Sequence, residues 1–181
     1  MKKFCIIFLL SVIISLTGFG LIERGLGERA TGESGREYLR IHIRANSNDG
    51  EDQALKYLVK DKLVELLTPI VADSDTFQKA ETAVRQRLAS IERVATNVLL
   101  QKGYSYGAKA SVRRERFPTR VYGEYVLAQG EYLALIVELG KGEGDNWWCV
   151  VYPPLCFVGD SGAKLVYKSK IVEIIERWKK R

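Results

Sequence analysis

The sequence predicts one small α+β domain with a mostly antiparallel sheet and two to four helices, preceded by an N-terminal apolar signal or anchor segment. The chain has 181 residues, which is room for one domain with a core and short appendages. Apolar residues recur every second position near residue 39, at helical spacing up to about residue 101, and every second position again from residue 104. A strand, then helices, then a run of strands is the order typical of an α+β domain.

The first 22 residues predict export. Lys2 and Lys3 precede residues 4–22, which carry no charge, and a basic start before an apolar run is typical of a secretion signal or a signal anchor. The run is close to the ~20 residues that span a bilayer, and its small residues form a poor cleavage site, so cleavage and anchoring both stay open. A buried core helix is disfavoured by the Lys-Lys start. Residues 23–37 mix glycine with both charges, have almost nothing to bury, and predict a flexible linker.

The globular domain is predicted over residues 38–160. Apolar and polar side chains alternate from Leu39 to Arg44, which predicts a half-buried strand. Turn residues follow, and Asp49 then caps a helix, with Asp52 as a weak capping-box partner. This helix is expected to end before Pro69, because the residue preceding a proline disfavours the helical region.

A second helical pattern covers residues 77–101 and continues to Gly103, a suitable terminator. Ser74 and Asp75 are its predicted caps, and a break near Ser90 would divide it into two helices. Strands are predicted across most of residues 104–158. Residues 161–181 predict a basic amphipathic helix, which we expect to pack on the sheet rather than to bind an anionic membrane.

Charge and composition exclude several classes of function. The chain carries 28 basic and 22 acidic residues, a formal net charge of +6. The excess is spread along the chain, so we expect no nucleic-acid partner. No P-loop, G-x-G-x-x-G or G-x-S-x-G motif is present.

Catalytic and metal sites find little support. A cysteine nucleophile needs a base, and His42 is the only histidine, so a catalytic pair would have to join it to Cys149 or Cys156. The same three residues with a carboxylate could bind zinc, but the C-x₂-C spacing is absent. Glu143 and Asp145 are alternate carboxylates in a glycine-flanked segment, a pattern more typical of a solvated turn. We therefore expect no catalysis, no metal and no cofactor.

The two cysteines near the C-terminus are candidates for a disulfide. An even pair in an exported chain indicates a bridge. A bridge needs the Cα atoms of Cys149 and Cys156 within ~7 Å, whereas seven extended residues span roughly 23 Å. The chain must double back, and Pro153–Pro154 is the expected corner. A bridge is favoured over two free thiols.

Trp147 and Trp148 are the strongest signal in the sequence. Neighbours on a strand point to opposite faces, so we expect only one ring to enter the core. The other either anchors a partner or lies beneath the C-terminal helix, and both alternatives stay open. The polar end of the first strand is the second place for contact. The candidate partner-binding residues are Arg44, Asn46, Ser47, Asn146, Trp147 and Trp148.

Three stretches of the chain are similar to one family. "GEGDNWWCVVYPPLCFV", "LRIHIRANSNDGEDQALK" and "FPTRVYGEYVLAQGEYLALIVELG" resemble stage II sporulation protein R, a family of endospore-forming Firmicutes. The resemblance covers residues 38–158, and the tryptophan-cysteine-proline block is its most specific part.

The resemblance implies a signalling protein and not an enzyme. Family members are exported from the forespore into the intermembrane space, where they trigger a membrane aspartic protease of the mother cell that processes the sigma factor E precursor. It follows that the partner is that membrane-bound protease, with the membrane itself a second contact if the N-terminal segment is uncleaved. The alternative is a cell-envelope hydrolase that acts on peptidoglycan through Glu143, Asp145 or a cysteine.

Overall fold

The structure is a computed structural model that describes residues 37–122, 125–157 and 165–180. The predicted signal or anchor segment and all but the last residue of the predicted linker lie outside these residues. No helix in the described ranges has the length and apolar character needed to cross a membrane. The elements in chain order are β1 (Leu39–Arg44), α1 (Gly50–Ala72), α2 (Phe77–Arg85), α3 (Leu88–Gln101), β2 (Ala108–Phe117), β3 (Arg120–Tyr122), β4 (Tyr125–Leu127), β5 (Gly130–Leu139), β6 (Asn146–Tyr152), a 3₁₀ helix (Leu155–Phe157) and α4 (Leu165–Lys179).

The main sheet has four strands in the order β2–β5–β1–β6. β1 runs parallel to β5 and antiparallel to β6, and β2 runs antiparallel to β5. The sheet is therefore mixed, and the prediction of a mostly antiparallel sheet is wrong. Three helices and three strands separate β1 from β5 in the chain, and so long a connection lets β5 enter beside β1 in the same direction. β3 and β4 form a separate two-stranded hairpin.

The central strand β1 is buried on both faces, so the prediction of a half-buried strand is wrong. Leu39, Ile41 and Ile43 lie in the main core with residues of the helices. On the opposite face, Arg40 and His42 are only 0% and 1% exposed. A second, smaller cluster lies on that face and consists of Phe117, Tyr132, Ala134 and Ile136, with Tyr38 and Trp148 packed against it.

The helices depart from the sequence prediction in two places. α1 continues through Pro69 to Ala72, although a proline inside a helix removes one hydrogen bond. Val71 is fully buried in the main core, and its burial offsets that loss. The predicted break near Ser90 falls instead between Arg85 and Leu88, where α2 ends and α3 begins.

The ends of α2 and α3 follow simple capping rules. Thr76, and not Ser74 or Asp75, caps α2, because its side chain accepts a hydrogen bond from the backbone nitrogen of Lys79 at 3.2 Å. Gly103 follows α3 with a φ of +85°, a conformation that glycine adopts without strain.

Candidate partner-binding site

The sheet register joins the first and last candidate segments. In the antiparallel pair of β1 and β6, Arg44 lies opposite Asn146 and His42 lies opposite Trp148. Residues a hundred positions apart in the chain therefore lie side by side at one end of the sheet.

Trp148 lies on the face of the sheet opposite the main core. Its ring stacks on His42 with centroids 3.7 Å apart and planes 17° apart. Phe117 meets the ring edge-on at 4.7 Å, and the guanidinium of Arg120 lies 5.8 Å from its centroid. Trp148 is half-buried, so part of the ring is left for contact.

Trp147 points to the other face and packs, half-buried, against the main core. As expected for neighbours on a strand, only one ring, Trp147, packs against the main core, and Trp148 packs against the second cluster on the opposite face. Each tryptophan has its own cluster, and neither ring stands free in solvent.

The face of the sheet that carries Trp148 also carries paired charges. Arg44 contacts Glu115 and donates to Glu138 at 3.0 Å. Arg113 lies 3.3 Å from the same Glu138 oxygen. We call this surface the charged face; it consists of Arg44, Arg113, Glu115, Glu138, Asn146 and Trp148. Paired charges that already hold one another in place are preorganised for contact with a partner.

His42 lies beneath this surface with both ring nitrogens in use. Nδ1 is 3.1 Å from Glu115 Oε1, and Nε2 is 2.7 Å from the side-chain amide of Asn146. Burial lowers the pKa of His42, and the contacts with Asn146 and Glu115 oppose that effect without cancelling it. The observed role of His42 is to support Trp148 by stacking and Asn146 through Nε2.

The loop after β1 is held by the carboxylate of Asp52, which is only 5% exposed. Oδ2 accepts from Asn46 Nδ2 at 2.7 Å and from Ser47 Oγ at 2.6 Å, and Oδ1 accepts from the Tyr106 hydroxyl. Asp52 does not act as a capping-box residue for Asp49. Asn46 and Ser47 are candidates for partner contact, but their side chains donate hydrogen bonds to Asp52 within the domain.

The loop before β6 is bound to the loop after β1. Gly144 N donates to Ala45 O at 2.9 Å, and Asp145 N donates to Asn48 Oδ1 at 2.6 Å. The nearly buried Lys56 donates to Asp145 O at 3.0 Å. A Cβ on Gly144 would lie 2.0 Å from Ser47 O, so only glycine fits this close approach. The segment before the tryptophans is therefore a fixed part of the fold.

The candidate catalytic residues are not brought together. His42 lies on the face opposite the main core, whereas Cys149 is buried inside that core. Cys149 is paired with Cys156 as a disulfide, with Cα atoms 6.3 Å apart. Glu143 and Asp145 are exposed. Within the described ranges, no group of three or more histidine, cysteine or acidic side chains could hold a metal ion.

Comparison with known proteins gives one family. The model of the stage II sporulation protein R family matches residues 35–162, which is most of the chain. The chain belongs to the stage II sporulation protein R family. Stage II sporulation protein R of Bacillus subtilis (strain 168) is 35% identical over 128 residues, which are 71% of this chain and 57% of that protein. The chain thus spans little more than half the length of this relative. No solved structure matches it.

The family name supports a role in sporulation, and all six residues of the charged face lie inside the segment that the family model matches. The resemblance of the three sequence blocks is confirmed. In the structure, the block that begins LRIHIR supplies Arg44, the block that begins FPTRV supplies Glu138, and the block that begins GEGDNWW supplies Asn146 and Trp148.

Sequence reasoning missed several residues of this region. Asp52 binds the loop after β1 instead of capping a helix, and Glu115 contacts both His42 and Arg44. Arg40, on the polar side of β1, is fully buried, with its guanidinium carbon 4.1 Å from the Phe117 centroid and 4.8 Å from that of Tyr132. The recurrence of aromatic residues between 117 and 132 is the sequence signal for a second buried face.

Proposed function

We propose that this member of the family is an exported sporulation signal that acts by protein–protein contact. Its partner is a membrane aspartic protease of the mother cell, which then processes the sigma factor E precursor. The chain is made in the forespore and acts in the intermembrane space, either released there or anchored by its N-terminal segment. It is a ligand and not an enzyme.

One observation carries the proposal. All three family blocks contribute to the charged face, which combines a half-buried tryptophan with arginines that are paired to carboxylates. Tryptophan and arginine are the residues most enriched at the energetic centres of protein interfaces. A surface already held by internal ion pairs loses little freedom on binding.

Activation is explained by a shift between two states of the protease. A ligand shifts such an equilibrium only by the difference between its affinities for the two states. Moving from a nearly silent to a nearly fully active protease takes a preference of about 10⁴-fold, or about 5.5 kcal/mol. One interface with a few strong contacts can supply this difference.

The test reconstitutes the protease and the sigma factor precursor in vesicles and adds the full chain. The variant Arg113→Ala/Arg120→Ala removes two exposed cations: Arg113, which is paired with Glu138, and Arg120, which lies 5.8 Å from the Trp148 ring. We expect it to keep its melting temperature and to lower the cleavage rate at least tenfold at a fixed, sub-saturating concentration. Arg93→Ala, an exposed arginine on α3, is the matched control and is expected to cleave at the wild-type rate. Equal rates for all three proteins would refute a role for this face.

The envelope hydrolase is distinguished in the same preparation. A hydrolase would release soluble fragments from purified peptidoglycan, and Glu143→Gln or Asp145→Asn would stop that release. We expect no fragments from the wild-type chain, and precursor cleavage unaffected by either substitution.

A further inference from the structure

A pocket of about 470 Å³ opens where β2 begins and β5 ends. Three separate segments line it: Asn46, residues 106–109, and Gly140 with Lys141. None of these residues belongs to the charged face, although Lys109 lies opposite Glu138 in the sheet register.

The walls of the pocket are fixed. The Tyr106 hydroxyl donates to Asp52, and Asn46 accepts from the backbone nitrogen of Lys141 at 3.0 Å. Gly140 has a φ of +56°, and a Cβ there would lie 2.2 Å from Asn46 Oδ1. The cavity is therefore formed before any ligand arrives, as is usual for binding pockets.

The mouth of the pocket carries positive charge without compensation. Lys109 and Lys141 are both exposed, and no carboxylate lines the cavity. The closest candidate partner for Lys109 is Glu138, but that carboxylate contacts Arg44 and Arg113 instead. Across the described ranges, neither lysine has an ion-pair partner, in contrast to the arginines of the charged face.

We propose that this pocket, the lysine pocket, binds an extended acidic segment of a protein partner. An apolar side chain of that segment would lie against Tyr106 and Ala108, while carboxylates beside it reach Lys109 and Lys141. The inference rests on the proposed function, because the partner in question is the protease that the chain activates. The inference is supported by charge complementarity, because Lys109 and Lys141 lie at the mouth of a largely apolar cavity that no carboxylate lines.

The experiment measures binding of a labelled peptide, Glu-Phe-Glu-Asp-Phe-Glu, to the full chain by fluorescence anisotropy. A second peptide with glutamine and asparagine in place of the acidic residues tests the need for charge. Lys109→Glu/Lys141→Glu reverses the two lysines of the pocket. Arg93→Glu/Lys102→Glu is the matched control, because it changes the net charge equally at two exposed positions outside the pocket.

We expect the acidic peptide to bind the wild-type chain and the control with the same affinity, and the pocket variant at least tenfold more weakly. Binding should weaken as salt rises from about 50 mM to about 500 mM. No binding of the acidic peptide, equal binding of the neutral peptide, or equal loss in both variants would overturn the proposal. Competition by inorganic phosphate at the same concentration as peptide would show a simple anion site, and binding only to anionic vesicles would show a lipid surface; each result contradicts a peptide pocket.

The precursor cleavage assay separates this inference from the proposed function. If the pocket variant loses the peptide but activates the protease normally, the lysine pocket is not a protease contact and the proposed function stands. If the wild-type chain binds the peptide yet never activates cleavage, the proposed function fails and the peptide site remains. Loss of both peptide binding and activation in the pocket variant alone supports the two together.

Discussion

Replacing Asp52 with asparagine should destabilise the domain sharply and disturb the charged face. The asparagine oxygen can still accept from Tyr106, but its amide group now faces the donors of Asn46 and Ser47, which lie 2.7 and 2.6 Å from the lost oxygen. Hydrogen bonds to a charged group contribute about 1.5 kcal/mol or more each, so losing two costs about 3 kcal/mol. For a domain of this size that corresponds to a fall in melting temperature of about 10 °C.

The pH dependence of this loss has a definite sign. Burial raises the pKa of Asp52. The hydrogen bonds from Ser47, Tyr106 and Asn46 lower it by more than burial raises it, so the pKa is below its usual value. A carboxyl group whose pKa is lower in the folded chain stabilises the fold fully at pH values above its pKa in the unfolded chain, about 3.9. That contribution is lost as the pH falls through the pKa of the folded chain. The stability difference between wild type and Asp52→Asn should be constant near neutral pH and shrink below about pH 4.

The assay is thermal and urea unfolding followed by circular dichroism, with Asp49→Asn as the control. Asp49 lies three residues away, is exposed, and makes no side-chain capping bond, so its change should cost less than about 0.5 kcal/mol. The damage from Asp52→Asn should extend to Asn146 and Trp148, because the loop after β1 holds the loop before β6. A melting temperature within about 1 °C of wild type, or an equal loss in Asp49→Asn, would refute the reasoning.

Three further predictions concern the tryptophans, the cysteines and the histidine. Trp147→Ala and Trp148→Ala should each lower the free energy of unfolding by about 2–3 kcal/mol, since the rings are half-buried. At a temperature where both are folded, only Trp148→Ala should slow precursor cleavage, and equal cleavage would contradict this. Cys149 and Cys156 should be bridged in the exported protein, so peptide mass spectrometry without reductant should find the linked pair, and two alkylated thiols would refute it; Cys149→Ser should cost about 2–5 kcal/mol. Because the pKa of His42 is lower in the folded chain, the unfolded chain takes up a proton there at a higher pH, and wild-type stability should fall as the pH drops below about 6.5. His42→Gln should reduce this fall, and an identical pH profile of stability for the two proteins would contradict the prediction.

Periodicity predicted most of the elements because it reports which side chains share a face. It located β1, the helices and β6 to within a few residues. It could not show that β1 would be covered on both sides, because alternation of Ile41 and His42 looks the same whether the polar side meets water or an aromatic cluster. It also could not order the strands, since the parallel neighbour of β1 comes from ninety residues later in the chain.

Part of the charged face is predictable from the sequence. Asn146 and Trp148 were chosen from the unusual composition of their segment, and Arg44 from its position at a strand end, and the sheet register brings these three together. Asn46 and Ser47 were chosen for the same reason as Arg44 but serve Asp52 instead. A polar side chain at a loop looks alike in sequence whether it binds a partner or a buried carboxylate, and only the three-dimensional neighbour separates the two cases.

The central claim is that the charged face contacts the protease, and site-specific photo-crosslinking tests it most directly. A photoreactive amino acid placed at Arg113, exposed on the charged face, should form a covalent product with the protease in reconstituted vesicles. The same amino acid at Arg93, exposed on α3, should form none. Crosslinking from Arg93 alone, or from neither position while cleavage proceeds at the normal rate, would contradict the account.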